Sequence, residues 1–125
     1  MEKIDLGYAT LHYQEPVVHI VFHDGAELGF PEVRQLTRCA EQLSGKKPYL
    51  VLSDARARVN VTYEGRKLAA DVREAPLHRG SAILVWRSMY KVAINIFSDI
   101  RKPPYPFRAF TRKQEALDWL LQQPL

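Results

Sequence analysis

Residues 49–66 read YLVLSDARARVNVTYEGR. Tyr49 to Leu52 is an unbroken apolar run, the pattern of a strand buried on both faces as in a parallel sheet. A polar connection with two arginines follows. Thr62 then stands where a helix would start, and its hydroxyl can accept a bond from a free backbone N–H. Glu64 falls in the first turn, where the helix dipole favours a carboxylate. The helix should run from about Tyr63 to Glu74, with Val61, Leu68, Ala69 and Val72 as a narrow apolar stripe and Pro76 as its stop. Strand, loop and capped helix is the repeating unit of an α/β fold.

The same unit appears on either side. Upstream, Tyr8–Tyr13 and Val17–His23 both alternate and are split by a short "QEP" break, so they read as two antiparallel strands. Pro31 suits a first helical turn, Val33, Leu36, Ala40 and Leu43 follow at helical spacing, and Ser44-Gly45 closes the helix. Cys39 lies beside that stripe as a half-buried thiol. Downstream, Ala82–Trp86 is a second buried strand, and Ser88 can cap a third helix. There Met89, Val92, Ala93, Ile96, Phe97 and Ile100 fall at i, i+3, i+4, i+7, i+8 and i+11, the cleanest helical period in the chain. "RKPPYP" reads as an extended connector. "FRAF" is a short last strand. Thr111 and Gln114 match a capping box before a final helix lined by Ala116, Leu117, Leu120 and Leu121.

The expected order is β-β-α-β-α-β-α-β-α: a single α/β domain with a mostly parallel five-stranded sheet and an antiparallel first strand. Winding all helices to one side would leave the other sheet face, with Val17, His19, Val21 and His23 or the opposite set, in need of cover. An apolar face there favours a homodimer.

A chain of 125 residues fits one domain. Its net charge is +4, with lysines and arginines scattered and only short basic pairs, which argues against a nucleic-acid groove. One cysteine excludes an internal disulfide and suits a reducing cytoplasm. No apolar run approaches the ~20 residues of a membrane helix, so no membrane insertion is expected. His19 and His23 share a strand face but sit ~13 Å apart, too far to ligate one metal. His12 could approach His19 across the hairpin. No catalytic or nucleotide-binding motif is present, and no cofactor is expected. Asp54 is the one carboxylate at a strand end where α/β folds build sites.

Ser53, Asp54, Arg56, Arg58 and Thr62 all belong to that carboxyl edge. Thr62 can simply cap a helix while the arginines are solvated. The same geometry could hold a phosphate, on Thr62, on Ser53 or on a ligand, between helix N–H groups and the two guanidinium groups. Asp54 and Glu64 would oppose it.

The element order and the stretches "YLVLSDARARVNVT", "SMYKVAINIFSDIRKPPYPFRAF" and "FTRKQEALDWLLQ" resemble the STAS domain, the fold of bacterial anti-sigma factor antagonists. The likeness is closest to small SpoIIAA-like bacterial proteins and covers nearly the whole chain. It implies a non-enzymatic regulatory or protein-interaction module with a protein partner. In the antagonists a phosphorylatable serine opens the helix after the central strand. That position falls on Thr62, within Val61-Thr62-Tyr63-Glu64, where the antagonists' aspartate, second serine and glycine are replaced. The fold is also similar to the lipid-binding Sec14 type. A relative of that kind would hold an apolar ligand against the third helix, with Met89, Ile96 and Phe97 facing the ligand or filling the core.

Overall fold

A computed structural model describes residues 2–71, 73–100 and 103–125, without the side chains of Phe97, Ser98 and Ile100. Among these described residues, eight strands and four helices follow in the order β1 (Lys3–Asp5), β2 (Ala9–Gln14), β3 (Val17–Phe22), β4 (Ala26–Leu28), α1 (Phe30–Leu43), β5 (Tyr49–Asp54), β6 (Val59–Val61), α2 (Tyr63–Ala69), β7 (His78–Leu84), α3 (Ser88–Ile100), β8 (Phe107–Phe110) and α4 (Lys113–Leu120).

The main sheet has six strands in the order β1-β2-β3-β5-β7-β8. β1/β2 and β2/β3 are antiparallel, and β3/β5, β5/β7 and β7/β8 are parallel. The sheet is thus one strand wider than expected. Lys3–Asp5 pairs outside β2, so the Tyr8–Tyr13 strand is interior and β1 is the antiparallel edge. Three residues are too few to show alternation, which is why β1 left no signal in the sequence. β4 and β6 form a separate two-stranded parallel ribbon that launches α1 and α2 side by side. α2 ends at Ala69, before the expected Glu74, and Val72 lies outside the described residues.

The two sheet faces are covered differently, and not with all helices on one side. Ala9, Leu11, Val18, Ile20, Tyr49 and Val51 form one core with Val33, Leu36 and Ala40 of α1 and Leu68 of α2. Val17, Leu50, Leu52, Ala82 and Leu84 form the other with Ala116 and Leu120 of α4. Val17 and His19 are therefore buried, and of the face expected to need a partner only its end, Val21 and His23, is exposed. Burying each Val, Leu or Ile side chain of these two cores stabilises the fold by ~1.5–3 kcal/mol.

α3 joins neither core in the same way. It lies along β8, the edge strand, where the Asn95 amide donates from Nδ2 to the Ala109 carbonyl (3.2 Å) and accepts at Oδ1 from the Ala109 N–H (2.7 Å). One side-chain amide satisfies the outward backbone groups that a further strand would have paired. The connector after α3 is pinned by Tyr105, whose hydroxyl donates to the Ala69 carbonyl and whose ring stands 4.0 Å from His78. His78 stacks in turn on Tyr49.

α4 starts without the expected capping box. Arg112 is its N-cap and makes no side-chain cap bond, while Gln114 donates to Asp118 one turn on. The reciprocal bond occurs on α1 instead, where Glu32 accepts from the Gly29 N–H at 2.8 Å.

Candidate functional site

The strand-end residues singled out in the sequence do not converge. Asp54 and Ser53 are consecutive on β5 and point to opposite faces, Asp54 in register with Leu84 and Ser53 with Ile20 and Ile83. Arg56 folds back onto Asp54 with two parallel bonds, Nε to Oδ1 at 2.9 Å and Nη2 to Oδ2 at 2.8 Å. This fork holds the Asp54 carboxyl below its usual range. Arg58 makes the same fork to Asp24, Nη2 to Oδ2 at 2.7 Å, and its hydrogen bonds hold Asp24 at a pKa of about 2. Each guanidinium thus already has its anion, Asp54 on β5 for Arg56 and Asp24 in the β3–β4 turn for Arg58.

Thr62 is the N-cap of α2: its Oγ1 accepts from the Gly65 N–H at 3.1 Å. Its own N–H donates to the Leu28 carbonyl, which locks the start of α2 to the end of β4. Gly65 is required there, because a Cβ would stand 2.5 Å from the Leu28 carbonyl oxygen. The carboxylate of Glu32 borders the same corner, 3.1 Å from where a Gly29 Cβ would lie, with the Thr62 hydroxyl 3.8 Å from that point. A phosphate on Thr62 would meet that negative charge and lose its cap bond.

The third helix departs most from expectation. Met89, Val92, Ala93 and Ile96 share one face, and all four are exposed. Trp86, Met89, Tyr90, Val92 and Ile96 are each 50–69% accessible. Met89 and Ile96 are therefore not core, and Phe97 lies outside the described side chains. Among the described side chains of α3 the half-buried ones are Lys91, Ile94 and Asn95, on the side turned to β8. The stripe looks outward because the helix packs against a strand edge through a polar residue rather than against a sheet face. Trp86, just before α3, also receives the Arg56 guanidinium 5.9 Å from its ring centre.

His12 and His19 do meet across the hairpin, with ring centres 4.4 Å apart and planes 12° from parallel. Parallel rings at that separation cannot both aim a nitrogen at one metal at ~2 Å. Burial, then His12, lowers His19 to about 4. His78 is also pushed down to about 4 by burial, and its Nε2 lies 3.1 Å from the Gly80 carbonyl, the geometry of a neutral ring donating to the backbone. A polar pocket of about 180 Å³ lies between Arg34, Thr37, Arg38 and Glu41 of α1 and Leu68 and Glu74, bridged by the Arg34–Glu74 ion pair.

The charge is divided unevenly along the chain. Residues 75–113 contain eight of the 18 lysines and arginines but one of the 14 acids, so that stretch carries +7 and the remainder −3. Counting by segment rather than looking for adjacent basic residues would have found it. The ion pairs follow the division: Arg34, Arg56, Arg58 and Arg73 pair with carboxylates of the acidic part. Among the described residues Arg87, Lys91, Arg108, Arg112 and Lys113 have no ion pair.

No described helix is long and apolar enough to cross a membrane. No curated protein matches the chain. A solved structure of an uncharacterised protein of the DUF3478 family with a SpoIIAA-like fold, from Shewanella loihica PV-4, is similar over 90% of this chain and 91% of its own, with a TM-score of 0.59 and 20% identity. That likeness shows the fold: a SpoIIAA-like, STAS-type α/β domain. Residues 11–123 match a domain of unknown function, DUF7793. That match takes in every strand and helix from β3 to α4, and the chain belongs to the DUF7793 family.

Proposed function

We propose that this SpoIIAA-like domain is a non-enzymatic interaction and regulatory module, and that it docks through the outward face of α3 together with Trp86. The observation that carries this is the exposure of Trp86, Met89, Tyr90, Val92 and Ile96 on one element and its lead-in. Monomeric proteins rarely leave a contiguous apolar patch uncovered without a use for it. Aromatic residues and Met are also the types enriched where surfaces associate.

The chemistry at the strand ends supports a non-enzymatic role. A carboxylate held ionised in a bidentate fork with Arg56 is a poor general acid or base. The pocket beside α1 is smaller than the ~300 Å³ of an ordinary ligand site and lined by charged groups, so it lends no support to the Sec14-like alternative. Thr62 acts in this reading as a helix cap.

The test compares the wild-type chain with Val92→Asp/Ile96→Asp in a lysate of its host, by gel filtration and sedimentation. The wild type should travel in a heavier or sedimenting fraction, and the variant should travel alone with an unchanged circular dichroism spectrum. A wild-type chain that runs alone as a monomer in both assays would overturn the reading.

A further inference from the structure

We propose that the sheet face beside the start of α4 binds a small oxyanion of the phosphate class, held by His12, His19, Lys3 and Lys113 and taken up together with a proton. The site lies apart from the α3 docking face and does not depend on it. One row across the sheet carries it. Lys3 is in register with His12, His12 with His19, and His19 with Leu52. All four belong to the face on which Leu52 meets Ala116 and Leu120 of α4. Lys113 stands three and four residues before Ala116 and Leu117, so it shares the inward side of α4 at its first turn. An ammonium thus flanks the stacked rings on each side, Lys3 from the edge strand and Lys113 from the helix.

These four groups lack counterparts. Neither lysine has an ion pair among the described residues, and neither ring has a hydrogen bond there. His19 is 4% exposed. Among the described residues no fully buried side-chain nitrogen or oxygen lacks a partner, so the nitrogens of His19 are where its ring still reaches solvent. Buried polar groups are normally satisfied within the protein, and this one is left open to an outside partner. The carboxylates on the same face are already engaged. Asp54 is held in the Arg56 fork, with Lys113 as a weaker influence, and Asp5 accepts from the Gly7 N–H. His23, at the end of β3, is bonded to Thr10 and the Gly7 carbonyl. Glu115 and Asp118 are exposed on α4, on the side away from Ala116 and Leu120.

The chemistry follows from the charges. Burial, then Lys3 and Lys113, lower His12; burial, then His12 and Lys113, lower His19 to about 4. An anion seated among them reverses that repulsion and draws a proton onto the ring pair. Ammonium and imidazolium groups offer only N–H donors, which suits several acceptor oxygens around a negative centre. Lys3 to His19 spans ~10 Å across three strands, so two lysine side chains can close on one tetrahedral oxyanion from its two sides.

The experiment follows the Cε1 protons of His12 and His19 by NMR between pH 7 and 4, in sodium chloride and in inorganic phosphate at equal ionic strength. With phosphate both rings should titrate at higher pH, by up to about one unit for each tenfold by which the anion prefers the protonated pair. Lys113→Gln should do two opposite things. It should raise both midpoints in chloride, because a repelling charge is gone, and it should shrink the shift that phosphate produces. Lys3→Gln should do the same at His12. Both lysines are exposed, so these variants keep the fold. Identical midpoints in phosphate and chloride would overturn the proposal. So would a phosphate shift that Lys113→Gln and Lys3→Gln leave unchanged, since the anion would then sit elsewhere.

Discussion

In α4, Ala116 and Leu120 lie four residues apart and are completely buried on the sheet. In α3, Met89, Val92, Ala93 and Ile96 repeat the same spacing over a longer helix and are exposed. α3 is the more apolar of the two. Periodicity names the residues that share a helix face; it does not say what covers that face. The cover is set by topology. α4 returns over β5, β7 and β8 and meets an apolar layer. α3 crosses from β7 to the edge strand and is held there by Asn95, a polar residue on the side away from the apolar stripe.

Leu120→Ala removes a fully buried side chain and should cost about 3–5 kcal/mol in urea unfolding. A loss below about 1 kcal/mol would mean that α4 is not the lid of its core.

A second test uses the histidines that the folded chain keeps neutral. His78 titrates at about 4 when folded and near 6.5 when unfolded, so the unfolded chain binds the proton first as pH falls. Its contribution to stability is complete above pH ~6.5 and declines down to pH ~4, by on the order of 2–3 kcal/mol. His19, also lowered to about 4, adds in the same direction. Urea midpoints across this range should fall with acid, and His78→Phe should flatten part of the slope. A profile that stays level from pH 7 to 4.5 would contradict the buried, neutral imidazoles.

Asn95→Ala sharpens the contrast at α3. It strips the edge strand of both amide partners at Ala109 and should cost about 1–2 kcal/mol. Hydrogen exchange at the Ala109 amide should rise well above that of β5. Unchanged protection would show that α3 is held by something else. Thr62→Ala is smaller, about 1 kcal/mol for a lost N-cap, measured by thermal unfolding. No loss at all would question the cap and reopen the hydroxyl to another role.

The sequence made much of this legible. Continuous apolar runs located β5 and β7, alternation located β2 and β3, and Pro31, Thr62 and the long apolar period located α1, α2 and α3. It could not show β1, β4 and β6, because three-residue strands carry no period. It could not place α4 on the opposite face from α1, since helical spacing carries no handedness of return. At the candidate site, Thr62 as a cap was readable from its side chain and position. The separate forks of Arg56 and Arg58 were not, because Asp24 lies 34 residues from Arg58 and meets it only through the β4–β6 ribbon. The role of Asn95 was hidden as well, since a polar residue opposite an apolar stripe reads as solvent-facing.

The most direct measurement is the unfolding free energy of Ile96→Asp beside wild type. A carboxylate on an exposed helix face should leave stability within about 0.5 kcal/mol. A loss of 3 kcal/mol or more would mean that the α3 stripe is core, and the docking surface would not exist.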